Sequence, residues 1–173
     1  MVENYKKKME FVNKNQSAIE ADLLAIANKF LTKNYGLTLK VPLTLNGRLT
    51  RAMGRVAANH GSPQYIEIAK VACVDALIKE DNTMLYGVLY HECIHYAHMI
   101  KGIPSYDDDP EFIEACNRLG APLSGNLGIL TLVHVYQCEN KHPLMSKTKR
   151  RNIHRLQCGA CGGSIKYVGE EVI

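Results

Sequence analysis

Residues 83–102 read TMLYGVLYHECIHYAHMIKG, and the architecture turns on how this stretch folds. Taken as a helix, it sets His91 and His95 about 40° apart on one face, because four residues overshoot one 3.6-residue turn. Two imidazoles at that spacing can grip one metal ion. Glu92, beside the first of them, can serve as general base to a metal-held water, which is the arrangement of the zinc metallopeptidases. The helix is supported apart from the motif. Asn82 and Thr83 are capping types, Leu85, Val88, Leu89 and Cys93 form an apolar stripe, and Gly102 followed by Pro104 ends it. One apolar stripe predicts a half-buried helix. A structural His pair is commoner than a catalytic one, but caps, stripe and a further ligand downstream agree here, which favours the metal.

That further ligand is expected in IPSYDDDPEF, residues 103–112. Asp109 and Pro110 read as N-cap and first helical residue of a helix that runs to Leu119 and stops at Gly120 and Pro122. Asp107 and Asp108 are left free to reach back. A catalytic zinc takes three protein ligands and keeps one position open, so one of these two carboxylates is the expected third ligand. His98 lies one turn past His95 on the same face. Three side chains from one straight helix cannot easily surround an ion, so His98 is expected to support the site or wall the cleft.

Upstream, residues 1–16 are Lys-rich and read as a basic arm or the ragged start of a helix. From Ser17, with Glu20 three residues on as a capping box, apolar residues recur at helical spacing until Asn34 to Gly36. Short alternating segments follow at Leu37–Val41, Leu43–Leu45, Met53–Ala58 and Tyr65–Ala69, with a turn over residues 59–63. They predict a small antiparallel sheet packed with helices, an α+β fold. Gly54 inside a strand pattern marks a bulge or a close backbone approach. Val71 to Lys79 resembles a short helix or loop, with Cys73 as a small core residue.

A Gly-rich connection at 124–130 marks a change of composition, and the expected domains are 17–132 and 133–173. In the second, Cys138 and His142 form one half-site and Cys158 and Cys161 the other, with the fifteen-residue spacing of a zinc ribbon. Lys141 stands where a second Cys of the first knuckle is expected. The alternative is a decayed ribbon held by packing alone. Between the knuckles runs a cationic finger carrying Lys147, Lys149, Arg150, Arg151 and Arg155, the expected nucleic-acid contacts.

The 173 residues suffice for one real core and a small second module. No apolar run is long enough to span a membrane, and MVENYKKKMEF lacks the core of a signal peptide, so a cytoplasmic location is expected. Six cysteines in that compartment point to metal or core roles and not to disulfides. The net charge of +4 is uneven: residues 1–70 carry 11 Lys and Arg against 5 Asp and Glu, 71–132 carry 3 against 9, and 133–173 carry 7 against 3. Basic flanks around an acidic centre suit a polyanionic partner.

With Asn46-Gly47-Arg48-Leu49, Met53-Gly54-Arg55, HECIH at 91–95, Asp-Pro-Glu-Phe at 109–112 and Tyr136-x-Cys138 through Cys158-x-x-Cys161, the chain resembles the SprT-like family. These features run in family order from about residue 17 onward. The resemblance implies a zincin-like metallopeptidase core followed by a zinc ribbon, with zinc on His91 and His95, Glu92 as general base and a function linked to DNA. It also shows two departures: an Asp stands where relatives supply a third His, and the first knuckle is incomplete. The function expected is a zinc endopeptidase acting on DNA-bound or DNA-crosslinked proteins, with one catalytic and one structural zinc. The partners expected are a protein substrate and DNA, with no membrane, and a monomer is favoured. The alternative is a non-catalytic, DNA-associated zinc-binding module or adaptor.

Overall fold

Leu31, Ile66, Ile68, Val74, Leu89, Ile94 and Phe112 are fully buried, and they come from segments on both sides of the expected site, from residue 31 to the helix after the Asp triplet. A computed structural model describes residues 1–49, 52–123, 128–142, 145–147 and 149–173, without the side chains of 145–147 and 155. Its residues cluster into two units, Met1–Lys7 with Leu130–Ile173, and Lys8–Ile129.

The chain opens with two helices, α1 (Val2–Lys14) and α2 (Gln16–Tyr35), so the Lys-rich start is helical. Gly36 takes a left-handed conformation (φ 68°) and closes α2: its N–H donates to the Thr32 carbonyl and that of Leu37 to the Leu31 carbonyl. The expected capping box does not form. The helix starts one residue earlier, and the Glu20 carboxylate accepts instead from Leu45 N–H at 2.7 Å and from Gln16 Nε2 at 2.7 Å. A residue read as local punctuation thus ties α2 to the sheet.

That sheet has three strands, β1 (Leu43–Asn46), β2 (Gly54–Asn59) and β3 (Ser62–Ala69), in the order β1-β3-β2. β2 and β3 form a hairpin whose two loop residues, His60 and Gly61, both have positive φ, the geometry of a type I′ turn that suits the strand twist. The expectation of an all-antiparallel sheet is corrected: β1 pairs with β3 in parallel. A parallel pair needs a crossover, and here the connection runs out through β2 before β3 returns beside β1. Leu37–Val41 forms no strand. Gly54 lies opposite Ile68 and Val56 opposite Ile66, so those two residues of β2 share the inward face of the buried isoleucines.

Helix α3 (Lys70–Lys79) leads to α4 (Thr83–Lys101), the expected site helix, and then to α5 (Pro110–Leu119). Helix α4 is the hub, in contact with α2, α3, α5, β2 and β3. It is more than half buried, from His91 through Ile94 and again from Tyr96 through His98, because neighbours pack on several faces and not only on the apolar stripe. Its start is held by Asp81, whose Oδ1 accepts from Thr83 N–H at 2.8 Å and Thr83 Oγ1 at 2.6 Å. Tyr96 Oη donates to the Thr38 carbonyl and accepts from Lys40 N–H, fixing the approach to β1.

In the other unit, β4 (Leu132–Cys138), β5 (Met145–Lys147) and β6 (Ile165–Val172) form an antiparallel sheet in the order β5-β4-β6. Val133 and Val135 of β4 are buried, and Tyr136, Cys138, Cys158 and Ile165 form a buried cluster with Ile153, Leu156 and Tyr167 packed against it. No helix among the described residues is long and apolar enough to cross a membrane.

Candidate metal centre

A cleft of about 720 Å³ lies against α4 and is lined by His91, Glu92 and His95 on the helix, Gly54 and Val56 on β2, and Asp107 from the following loop. Each imidazole is oriented by a backbone carbonyl. His91 Nδ1 lies 2.8 Å from the Pro122 carbonyl oxygen, and His95 Nδ1 lies 2.6 Å from that of Ser105. A carbonyl can only accept, so Nδ1 carries the proton and Nε2 is left with its lone pair on each ring. Those two Nε2 atoms face each other at 3.0 Å, and Asp107 Oδ1 lies 3.2 Å from one and 3.1 Å from the other.

Three acceptors thus converge with no donor between them. A cation resolves that arrangement. Ligand atoms around a tetrahedral zinc at about 2.0–2.1 Å are themselves about 3.3 Å apart, and the spacings here match. Of the two aspartates, Asp107 joins the histidines and Asp108 does not. Asp109 takes the N-cap position before Pro110, but its Oδ2 accepts from Tyr106 N–H at 2.7 Å and shapes the loop that carries Asp107.

Glu92 is 5 % exposed and sits under β2. Burial, and then the negative charge of Asp107, push its carboxyl up to about 8, while a hydrogen bond from the Val56 backbone pulls the other way. His95 is held below its ordinary value by burial and by His91, which keeps it neutral and able to ligate. Gly54 makes the arrangement sterically possible. A Cβ there would lie 2.6 Å from Glu92 Oε1 and 2.9 Å from Val88 Cγ1, so the close backbone approach expected at this position is present.

The second cluster brings Cys138, His142, Cys158 and Cys161 together, one ligand atom from each within 4.8 Å of the others. Cys138 Sγ and Cys161 Sγ are 3.6 Å apart, and Cys158 Sγ is 3.4 Å from His142 Nδ1. Zn–S bonds of about 2.3 Å place tetrahedral sulfurs about 3.8 Å apart, so these four donors also fit an ion. Asn140 and Gly163 donate to Cys161 Sγ, and they lower that thiol to about 6. By contrast Cys73, Cys93 and Cys116 are buried, and burial holds them as neutral thiols.

The sequence carries one further observation. Over 136 residues, 78 % of this chain and 89 % of its counterpart, it is 22 % identical to a protein named SprT-like from Streptococcus mutans serotype c. By sequence, the chain is similar to a SprT-like protein. No family model matches it, and no solved structure matches it.

The cationic finger is spread over several small elements. Lys147 ends β5, Lys149 to Arg151 lie in the exposed segment beyond it, and Arg155 ends the 3₁₀ turn Ile153–Arg155. The side chains of Lys147 and Arg155 lie outside the described part. Arg150 places its guanidinium 4.8 Å above the Tyr167 ring, and Arg151 donates its N–H to Tyr136 Oη at 2.7 Å. Residues 124–127, in the expected Gly-rich connection, lie outside the described residues. Two groups that hold the imidazoles were not foreseen. Pro122 signals only a helix stop in sequence, yet its carbonyl orients His91. Phe112, known only as part of a motif, stacks on His95 at 4.0 Å and 16° and meets His91 edge-on at 5.1 Å.

Proposed function

We propose that this chain is a zinc-dependent endopeptidase of the SprT-like type, acting on DNA-bound or DNA-crosslinked proteins. One observation carries the reading: two imidazole nitrogens and the Asp107 carboxylate converge beside the buried Glu92 in an open cleft. His91, His95 and Asp107 would hold the ion. Zinc, when bound, would supply Lewis acidity to a scissile carbonyl and an attacking water. Glu92 would take that water's proton on its carboxylate and pass it to the leaving amine. The raised proton affinity of Glu92 belongs to the metal-free site; the charge of a bound zinc would lower it and leave a carboxylate able to take the proton. Asp107 brings more negative charge than a His would, which would temper the ion's acidifying effect.

Cys138, His142, Cys158 and Cys161 would hold a second, structural zinc. Lys147, Lys149, Arg150, Arg151 and Arg155 would meet DNA phosphates and bring bound protein to the cleft. The deciding experiment is Glu92→Gln. The variant should still bind zinc while cleavage of a protein substrate drops by about 10²–10⁴-fold. A variant that cuts as fast as the parent would leave the non-catalytic, DNA-associated reading in its place.

A further inference from the structure

The α4 histidines form a row of three, since His98 follows His95 by three residues and returns to the face of His91. His98 is 3 % exposed and belongs to neither metal-ligand cluster. Its Nδ1 lies 2.7 Å from the Pro104 carbonyl oxygen, so it too donates to backbone. The row therefore meets the following loop in register: His98 takes the carbonyl of Pro104, His95 takes that of Ser105, and Asp107 stands two residues further on with Oδ1 between the rings. The His98 ring is held edge-on by Phe112 at 5.9 Å and by Tyr35 at 6.1 Å. Phe112 in turn stacks on His95, so one buried aromatic supports both loop-binding histidines.

We propose that His98 is a positioning residue for Asp107: its Nδ1–H anchors the loop at Pro104 and thereby sets the third ligand of the metal site. Asp107 needs such an anchor. Its side chain is 69 % exposed, and the groups that hold it are the two imidazoles. Removing the Pro104 hydrogen bond leaves Ser105 as the loop's one remaining acceptor for a histidine side chain of the row, beside the backbone bond from Ile103 N–H to the His98 carbonyl at 2.9 Å that precedes it, and the carboxylate can swing into solvent.

The proposal rests on the metal reading of the cleft, and its test separates the two. The full chain is titrated with cobalt(II) alone, whose visible bands report a nitrogen–oxygen site and whose thiolate charge-transfer bands report the cysteine cluster. His98→Leu should weaken cobalt at the nitrogen–oxygen site by about tenfold or more and leave the thiolate bands unchanged. His98→Asn, which keeps a donor where Nδ1 was, should bind as the parent does, whereas His98→Gln, whose donor sits further out, should not. Asp107→Ala should show the same loss, and His98→Leu added to it should cost nothing more, because both remove one interaction. Parent-like affinity in both His98→Leu and His98→Gln, or a full further loss in the double variant, would overturn the positioning role. If His98→Leu does not fold, the Asn and Gln variants decide. A parent protein without nitrogen–oxygen bands would remove the metal reading itself, and this inference with it.

Discussion

Gly54 on β2 and Glu92 on α4 are packed so closely that a single methyl group cannot stand between them: a Cβ on Gly54 would meet Glu92 Cγ at 2.7 Å. The backbone at Gly54 is not left-handed, so space alone demands glycine here. Strand β2 is an edge strand, and the missing side chain lets it descend onto the helix and roof the carboxylate.

Gly54→Ala is therefore expected to displace the Glu92 side chain. Overpacking of this kind costs about 1–3 kcal/mol of stability. On the proposed mechanism the functional cost should be larger, because a proton carrier moved by about an ångström would no longer meet its substrate. Thermal melts and cleavage assays should separate a modest drop in Tm from a loss of kcat; unchanged kcat would mean that Glu92 has room to move.

The protonation of Glu92 gives a pH prediction for metal-free protein. Its folded-state value, about 8, lies above its ordinary 4.5, so between these values the folded chain holds a proton that the unfolded chain has released. The protonated group's stabilising contribution is complete below pH 4.5 and is lost as pH climbs towards 8. Melts of chelator-treated protein across that range should show the parent losing Tm relative to Glu92→Gln. Parallel curves would show that the carboxyl is not buried as described.

Cys138 and Cys158, both members of the second cluster, are two of the four buried residues of the core cluster around Tyr136 and Ile165. On the proposed reading, that end of the unit leans on its ion. Cys158→Ser, or chelation, should release β4 and β6 to rapid hydrogen exchange while α4 stays protected. Protected strands after complete metal removal would favour a sheet held by packing alone.

For DNA, Lys149→Ala, Arg150→Ala and Arg151→Ala together should weaken binding uniformly across sequences. The salt dependence of affinity should flatten by about one unit of logarithmic slope for each phosphate that the protein no longer neutralises. Arg150 lies over Tyr167, and its change should also be visible in the environment of that ring. An unaltered slope would place the DNA-binding surface elsewhere or nowhere.

Local chemistry was legible in the residues themselves. The HECIH helix, its Gly102 stop, the Asp109–Pro110 start of α5 and the Cys138/His142 and Cys158/Cys161 pairs follow from spacing and backbone preference, which act within a turn or two. What depends on distant segments meeting was not. Glu20 leaves a local cap for Leu45 N–H, β1 runs parallel to β3 because of a crossover, and α4 is buried on several sides by elements far from it in sequence. The choice of Asp107 over Asp108 is of the same kind. Neighbouring carboxylates are chemically identical in sequence, and only the path of the loop, pinned to the helix by its carbonyls, turns one of them toward the imidazoles.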